Sequence, residues 1–472
     1  MDIVHISAEC YPVAKVGGLA DVVGALPKYQ TAAGENVKVV LPAYDTKFKK
    51  ENSFENVYSG TIQLGEFAYA FDVLKETTNK LGFELYLVAL PEFFDRPDIY
   101  SYPDDIERFV SFQIATLDWL VSRDNLPDCV HCHDHHTGLI PFLMQYAYKY
   151  QALQSIPSII TIHNGLYQGQ FGYDKLHYLP EFDLQYVYLL DWDHCINSLA
   201  AAIKCAWQIT TVSPSYLTQI NQQANGLETL FRSMRYKSKG ILNGIDTQLW
   251  DPNKDSYLKS NYNTQTFEIG KKENKKALCA LFNLDPNQPL FSFIGRLYEE
   301  KGADLLPQAI AAVLAQMPQE ITVLILGSGN PDIEKQLTAL EGSYPRNYHT
   351  YIGYNEELAH LIYAGSDFLI MPSRVEPCGL NQMYALRYGT MPIVRKTGGL
   401  QDTVIDFGDG GNGISHNQAS VEDIIYSIQR GAKLYKDTTA FTKILLSGML
   451  EDHSWERVCQ EYLALYNLLI NP

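Results

Sequence analysis

The stretch that most constrains the fold is a strand, loop, helix and strand that follow one another between residues 368 and 395. Phe368–Met371 and residues 392–395 are short apolar runs, which are typical of buried parallel strands. Between them, residues 376–380 open a predicted helix that ends at Gly389, because Pro near a helix start and Gly just past its end are the usual boundary signals. This unit predicts an open α/β sheet, in which ligands bind beyond the carboxyl ends of the strands.

Strand-like and helix-like segments alternate through the rest of the chain, so we predict an α/β protein with two doubly wound, Rossmann-like lobes. In the first half the predicted strands are residues 3–7, 37–41, 84–90, 129–133 and 158–163, and the predicted helices are residues 19–32, 106–121, 139–148 and 199–209. In the second half the predicted strands are residues 290–294, 321–326, 348–352 and 368–371, and the predicted helices are residues 303–317 and 356–364. Residues 51–90 are strand-rich and predict antiparallel additions to the first sheet.

The length of 472 residues predicts two or three domains. Gly and Asn interrupt residues 239–246, and the segment that follows is polar and rich in lysine, so we place the boundary there. We therefore expect a first lobe over residues 1–240 and a second over residues 241–450. Residues 451–472 carry apolar side chains at helical spacing and predict a terminal helix.

The composition excludes several classes of partner. A formal net charge of −17 argues against nucleic acid, which needs basic clusters, and suits a neutral polymer or a small-molecule substrate. The eight cysteines are scattered, and only Cys129 and Cys132 have C-x-x-C spacing, so we expect reduced thiols. No signal-like or membrane-spanning run is visible, and we expect a cytoplasmic protein with no membrane partner.

A glycine loop follows the first predicted strand. Gly17 and Gly18 let the backbone approach a ligand closely, and their N–H groups precede a helix whose positive end favours an anion. Lys15 adds a positive charge suited to a phosphate. The loop is neither a dinucleotide fingerprint nor a P-loop. A flexible turn beside a surface lysine is the alternative explanation.

Residues 131–136 contain four His, one Cys and one Asp. A metal site is one interpretation, but a tetrahedral site usually takes its ligands from two separated segments. A strand also points neighbouring side chains to opposite faces, so these residues cannot all converge on one ion. We favour a strand end that presents a carboxylate and imidazoles to a polar ligand.

Two cations, Arg296 and Lys301, follow the first predicted strand of the second lobe. Taken alone they suggest a solvated charged loop, because Glu299 and Glu300 lie between them. Both stand at the carboxyl end of that strand, beside a predicted helix start.

The ordered set of motifs resembles the bacterial glycogen synthases and plant starch synthases of glycosyltransferase family 5. The matching strings are K-V-G-G-L-A-D-V at 15–22, H-C-H-D-H-H-T-G at 131–138, T-I-H-N-G-L-Y-Q-G at 161–169, G-R-L-Y-E-E-K-G at 295–302 and E-P-C-G-L at 376–380. Any one string is weak, but five in the right order are specific. The resemblance implies the GT-B architecture, with a cleft between two lobes and a terminal helix that crosses back to the first lobe.

The resemblance also implies the roles of individual residues. The implied catalytic residues are Asp134, His163, Arg296, Lys301 and Glu376. The implied donor-binding residues are Lys15, Gly17, Gly18, Asp21, Asn164, Asn243, Tyr354, Cys378, Gly379 and Leu380. Lys15, Gly18, Arg296 and Lys301 would meet the phosphates, and Glu376 would hold the glucose hydroxyls. The His163 imidazole would contact a sugar hydroxyl, while its main-chain carbonyl would lie near the anomeric carbon. Tyr354 would stack on the base, with ordinary strand-end packing as the alternative.

The chain departs from the family pattern at three positions. His135 stands where Trp is common, and Asn381 stands where Thr is common in the bacterial enzymes. Tyr384 occupies the second-carboxylate position of the E-x7-E pattern of some related transferases, so no second Glu is available there.

The function implied by the resemblance is transfer of glucose from ADP-glucose to the non-reducing end of an α-1,4-glucan, with retention and release of ADP. No metal or prosthetic group is expected, and the expected compartment is a plastid-like stroma instead of the cytoplasm if the source is a photosynthetic eukaryote. The alternatives are a GT-B transferase that uses UDP-glucose or a small sugar acceptor, a pyridoxal-dependent phosphorylase, and a non-catalytic carbohydrate-binding protein. The sequence leaves the oligomeric state open.

Overall fold

The computed structural model describes Met1 to Asn471 and divides into two compact units. Unit 1 is Met1–Leu242 together with the helix that begins at Trp455, and unit 2 is Asn243–Ser454. These boundaries lie close to those expected at 240 and 450. Among the described residues, no helix has both the length and the apolar character that a bilayer crossing requires.

Unit 1 is built on a nine-stranded sheet in the order β12-β11-β7-β6-β1-β2-β5-β4-β3, and a smaller sheet in the order β8-β10-β9 lies apart from it. The strands are β1 (Asp2–Ile6), β2 (Asn36–Pro42), β3 (Phe54–Leu64), β4 (Phe67–Glu76), β5 (Glu84–Ala89), β6 (Cys129–His133), β7 (Ser158–Ile162), β8 (Gln170–Phe171), β9 (Asp191–Trp192), β10 (Cys195–Asn197), β11 (Gln208–Thr211) and β12 (Ser238–Gly240). In the large sheet β4 is antiparallel to both neighbours and the other pairs are parallel, which confirms the antiparallel additions predicted for residues 51–90.

The helices of unit 1 cover the faces of this sheet. They are α1 (Gly18–Ala32), α2 (Lys47–Glu51), α3 (Pro91–Phe94), α4 (Asp105–Val121), α5 (Ile140–Tyr146), α6 (Ser198–Cys205), α7 (Pro214–Ile220) and α8 (Glu228–Ser233). The helix predicted over residues 199–209 is wrong in its second half, because α6 ends at Cys205 and β11 starts at Gln208. A continuous apolar run does not reveal by its periodicity where a buried helix gives way to a buried strand.

Unit 2 is built on six parallel strands in the order β15-β14-β13-β16-β17-β18. They are β13 (Leu290–Leu297), β14 (Thr322–Gly329), β15 (Tyr348–Ile352), β16 (Phe368–Met371), β17 (Met391–Arg395) and β18 (Ile414–His416). The helices are α9 (Phe267–Leu281), α10 (Leu306–Gln316), α11 (Pro331–Ala339), α12 (Glu356–Gly365), α13 (Asn381–Arg387), α14 (Gly398–Thr403), α15 (Val421–Tyr435) and α16 (Thr438–Met449).

The helix start predicted at residues 376–380 is wrong. That segment is a loop, and α13 begins only at Asn381. Gly379 has a φ of +76°, in the left-handed region that interrupts a right-handed helix. Cys378, Gly379 and Leu380, which the resemblance assigns to donor binding, therefore lie on a loop that precedes the helix.

The last helix, α17 (Trp455–Ile470), belongs to unit 1 and confirms the terminal helix predicted from apolar spacing. Trp455, Val458, Tyr462 and Leu465 are buried in the same apolar cluster as α1 and the central strands. Because the chain leaves unit 1 after β12 and returns with α17, the core of unit 1 contains residues from both ends of the sequence.

In each large sheet the strand order reverses at one point: strands early in the sequence extend the sheet in one direction, and later strands extend it in the other. In unit 1 this switch point lies between β1 and β6, and in unit 2 it lies between β13 and β16. Loops leave the carboxyl ends of both strands in opposite directions there, which opens the crevice where α/β proteins bind ligands.

Candidate active site

The glycine loop leaves β1 at the switch point of unit 1, and a buried carboxylate holds it. Glu9 Oε2 accepts hydrogen bonds from the backbone N–H groups of Val16 at 2.6 Å and Gly17 at 2.8 Å. The Tyr100 hydroxyl donates to Glu9 Oε1 at 2.7 Å. Glu9 therefore fixes the loop that precedes α1, a role that sequence reasoning missed.

The predicted donor-binding residues of this loop lie together. Lys15 Nζ donates to Asp21 Oδ1 at 2.6 Å, so Asp21 holds the ammonium group beside the start of α1. A Cβ added at Gly17 or Gly18 would meet no atom within 4 Å, and neither has a positive φ. The fold itself therefore does not require glycine at these positions, whereas a ligand that approaches the backbone closely would.

Asp134 directly follows β6, and its carboxylate holds the backbone that follows β7. Its Oδ1 accepts from the N–H of His163 at 2.7 Å and, more weakly, from that of Asn164 at 3.4 Å. The structure thus brings three predicted site residues together. Asp134 has a φ of +55°, a strained conformation for a non-glycine residue and one found often at functional sites.

Burial raises the pKa of Asp134 to about 7, despite its backbone hydrogen bonds and with repulsion from Glu9 adding to the effect. This carboxyl group therefore changes charge near neutral pH. Burial also lowers the pKa of His163 to about 3, so its imidazole is neutral over the same range.

His5, His131 and His133 form a buried cluster whose geometry resembles a metal site. All six ring nitrogens, however, already have protein partners. These partners are Gln30 and His133 for His5, Tyr466 and Thr161 for His131, and His5 and His163 for His133. A metal ion bound here would have to replace those hydrogen bonds, so the contacts support a hydrogen-bonded network.

Lys301 and Glu376 meet at the switch point of unit 2. Lys301 Nζ lies 2.8 Å from each Glu376 carboxylate oxygen, and the Ser373 hydroxyl donates to Oε2 at 3.0 Å. Lys301 follows β13 and Glu376 follows β16, which are the two strands that flank the switch point. The pair thus lies where ligand binding is expected in this fold.

A pocket of about 70 Å³ adjoins this ion pair. Lys301, Glu376, Gly379 and Leu380 line it, and Asn381 closes it by donating from its amide to the Ile294 carbonyl at 2.8 Å. Cys378 is buried behind the loop, where burial raises the pKa of its thiol to about 12 and keeps it protonated. Four predicted residues therefore share one pocket of unit 2.

The second glycine pair of the sequence, at the start of α14, supports this loop. A Cβ on Gly398 would lie 2.0 Å from the Glu376 carbonyl oxygen, and one on Gly399 would lie 2.3 Å from that of Cys378. The N–H of Gly399 also bonds the Glu376 carbonyl at 3.2 Å. These glycines allow the close backbone contact that positions the loop bearing Glu376.

The remaining predicted residues of unit 2 lie outside this ion pair. Arg296 is exposed and forms an ion pair with Glu300. Tyr354 is 84% exposed, so most of its ring surface is accessible to solvent and suited to stacking. Asn243 is buried, and its side-chain oxygen has no hydrogen-bond partner among the described residues. A buried acceptor in this state is suited to a ligand donor.

Two of the departures from the family pattern have structural explanations. Tyr384 stacks on Trp250 with ring centroids 4.0 Å apart, so an aromatic contact occupies the position of the absent second carboxylate. His135 packs against His136 at 3.7 Å, and burial lowers the pKa of His135 to about 4. It is therefore a neutral ring at the position where Trp is common.

Sequence reasoning missed Glu9, Tyr100, Ser373 and the imidazoles that line up behind His163. A carboxylate directly after the first strand and before a Gly-Gly loop was a usable signal for Glu9. Tyr100 and Ser373 carry no local signal, because their partners are set by the tertiary fold.

Comparisons with known proteins agree with this arrangement. Residues 2–233 match the starch synthase catalytic domain, and residues 275–443 match glycosyl transferases group 1. The chain is 67% identical to the glycogen synthase of Flavobacterium johnsoniae, covering 100% of this chain and 99% of the relative. It is 36% identical to the glycogen synthase of Bacillus cereus, covering 100% of both chains.

Solved structures give the same result. The catalytic domain of starch synthase IV from Arabidopsis thaliana, bound to ADP and acarbose, matches with a TM-score of 0.89 at 32% identity, covering 100% of this chain and 99% of that one. Sucrose-phosphate synthase from Thermosynechococcus elongatus matches at 0.61 and 17% identity, covering 99% of both chains, which shows a shared fold alone.

Two Rossmann-like units and the residues at their switch points define a glycosyltransferase of the GT-B class. The chain belongs to the family of bacterial glycogen synthases and plant starch synthases. The resemblance drawn from the ordered motifs is thereby confirmed.

Proposed function

We propose that this glycosyltransferase moves glucose from ADP-glucose to the non-reducing 4-hydroxyl of an α-1,4-glucan, with retention of configuration. The bond from the anomeric carbon to the phosphate oxygen breaks, a bond to the acceptor oxygen forms, and ADP leaves. The observation that carries this proposal is the Lys301–Glu376 pair at the switch point of unit 2. The ADP in the plant relative and the glycogen synthase relatives support the donor and the acceptor.

Each residue has a role set by its charge. Lys15, Arg296 and Lys301 are cations for the leaving diphosphate, whose negative charge grows as the bond breaks. In this proposal they make a metal ion or prosthetic group unnecessary. Glu376 accepts hydrogen bonds from glucose hydroxyls, and Tyr354 offers its exposed ring to the base.

Tyr384 occupies the position of the second carboxylate, so no carboxylate is available there as a nucleophile. Retention of configuration therefore requires that the positive charge on the anomeric carbon be stabilised. We assign that role to the main-chain carbonyl of His163, which Asp134 orients through the His163 N–H. The acceptor hydroxyl attacks from the face that ADP leaves, and its proton passes to the leaving phosphate oxygen. Asp134 is thus a positioning residue whose charge adds to the negative potential of the carbonyl.

Changing Gly18 to Ala separates ligand binding from folding. The added Cβ meets no protein atom within 4 Å and replaces glycine with a better helix former, so the melting temperature should stay the same or rise slightly. If the backbone contacts the donor's phosphate, KM for ADP-glucose should rise roughly tenfold or more. Unchanged kinetics would remove Gly18 from the donor site.

The pH profile tests Asp134. Because its pKa is about 7, kcat/KM should fall about tenfold per pH unit below that value, and Asp134→Asn should flatten this acid limb. Stability should move the opposite way. A carboxyl group whose pKa is raised by folding stabilises the protein at low pH, and this contribution is lost as the pH rises through 7. The free energy of unfolding of Asp134→Asn, relative to that of the wild type, should therefore increase from about pH 5.5 to about pH 8.5. An acid limb that persists in the variant would contradict the assignment.

Product analysis tests the reaction itself. Labelled ADP-glucose is incubated with glycogen, with fructose 6-phosphate or with glucose 6-phosphate as acceptor. Label in a polymer that an α-1,4-specific amylase digests supports the proposal, whereas label only in a small phosphorylated disaccharide would overturn the assignment of a glucan as the acceptor.

All eight cysteines are free thiols and seven of them are buried. This supports a reducing compartment, and we propose the cytoplasm.

A further inference from the structure

A line of hydrogen-bonded imidazoles runs through the core of unit 1 and ends at His163. His163 Nε2 lies 3.0 Å from His133 Nδ1, and His133 Nε2 lies 3.0 Å from His5 Nδ1. At the far end, His5 Nε2 lies 2.8 Å from Oε1 of Gln30 on α1. His5, His133 and Gln30 are fully buried. The line therefore connects a helix of the core to a proposed active-site residue through direct side-chain contacts.

The direction of the hydrogen bonds in this line is fixed by its end. A neutral imidazole has one N–H donor and one acceptor nitrogen, and burial lowers the pKa of all three rings enough to keep them neutral. The carbonyl oxygen of Gln30 only accepts, so His5 donates from Nε2 and accepts at Nδ1. His133 must then donate from Nε2 and accept at Nδ1, and His163 must donate from Nε2.

Gln30 also contacts the terminal helix. Gln30 Nε2 donates to the Tyr466 hydroxyl at 3.2 Å, and the Tyr466 oxygen lies 2.6 Å from His131 Nδ1. The amide nitrogen of Gln30 therefore faces α17 while its oxygen faces His5. With Gln30 in this orientation, Nε2 of His163 carries the proton.

We propose that His133, His5 and Gln30 are positioning residues, which hold the His163 ring in the Nε2–H tautomer and leave Nδ1 as a hydrogen-bond acceptor. Within the described residues no protein group binds His163 Nδ1. This inference rests on the proposed function, in which the His163 ring contacts a hydroxyl of the donor glucose. The ring would accept the hydrogen of that hydroxyl, and a donor sugar lacking the hydroxyl would be discriminated against.

The tautomer is measured directly, without turnover, by long-range ¹H–¹⁵N NMR of protein labelled at histidine. His163 is assigned by loss of its signals in His163→Gln. Protonated Nε2 and unprotonated Nδ1 in the wild type are the expected result. Protonated Nδ1 would overturn the inference while leaving the proposed reaction intact. Conversely, a correct tautomer in a protein that transfers no glucose would contradict the proposed function alone.

Kinetics test the consequence with a matched pair of variants. His133→Phe removes the acceptor for His163, so kcat with ADP-glucose should fall roughly tenfold or more while KM for glycogen stays unchanged. His360→Phe is the control, since His360 is also a buried histidine but lies in unit 2, where it bonds Asp255 at 2.7 Å. It should lower stability to a similar extent and leave kcat within about threefold of wild type.

A conservative variant excludes a purely structural effect. In His133→Asn the side-chain oxygen takes the place of Nδ1 and accepts from His163, so most of the lost kcat should return. Equal losses of kcat in His360→Phe and His133→Phe would contradict a positioning role, as would a His133→Asn variant no better than His133→Phe. If His133→Phe does not fold, the wild-type NMR result and His133→Asn decide the question.

Discussion

Replacing Lys301 with Ala should lower kcat by about 10²- to 10³-fold, because the variant removes a positive charge from the leaving diphosphate. Lys301 Nζ lies 2.8 Å from each carboxylate oxygen of Glu376, so the variant also leaves that carboxylate without its cationic partner. KM for glycogen should change little, since the lysine acts on the donor. Steady-state kinetics with glycogen in excess separates the two parameters.

The control for Lys301→Ala is Lys436→Ala. Lys436 is exposed in the same unit and pairs with Glu320 at 3.1 Å, so its loss should leave both kinetic parameters unchanged. The assignment of Lys301 to the leaving group would be wrong if only the glycogen KM moved in Lys301→Ala.

Replacing Gly399 with Ala should be equally damaging for a steric reason. The new Cβ would lie 2.3 Å from the carbonyl oxygen and 2.5 Å from the Cα of Cys378, and backbone atoms cannot yield as a flexible side chain can. The loop that bears Glu376 must shift. We expect a loss of about 1–3 kcal/mol of stability from overpacking. A displacement of about 1 Å should also cost roughly 10²-fold in kcat.

Gly342→Ala provides the matched control. The same substitution in the same unit meets no atom within 4 Å and requires no positive φ, so stability and kcat should stay near wild type. Thermal unfolding and initial rates on both variants make the comparison. A Gly399→Ala variant with wild-type kcat would show that the Glu376 loop does not depend on close backbone packing.

Local sequence patterns predicted the strands of the central sheets well. Cys129–His133 and Phe368–Met371 were predicted with the bounds that the structure has. Both strands are buried along their whole length. Residues 368–371 form a continuous apolar run, whereas residues 129–133 include His131 and His133. The positions of Asp134, Lys301 and Glu376 after strand ends followed from the same pattern, and all three lie beside switch points.

Contacts between distant segments were not predictable from one sequence. Lys301 and Glu376 are 75 residues apart, and His5 and His133 are 128 residues apart. No local spacing encodes such pairs, because strand order in the sheet brings them together. The predicted helix start at residues 376–380 failed because Gly379 adopts a left-handed conformation in a loop held by Gly398 and Gly399.

The most direct test of the central claim is incorporation of radiolabelled glucose into glycogen from ADP-glucose and from UDP-glucose at equal concentration. We predict strong incorporation from ADP-glucose, little from UDP-glucose, and a loss of about 10²-fold or more in Lys301→Ala with either donor. A preference for UDP-glucose would contradict the donor assignment. Absence of incorporation from both donors by a folded protein would contradict glucan synthesis as its reaction.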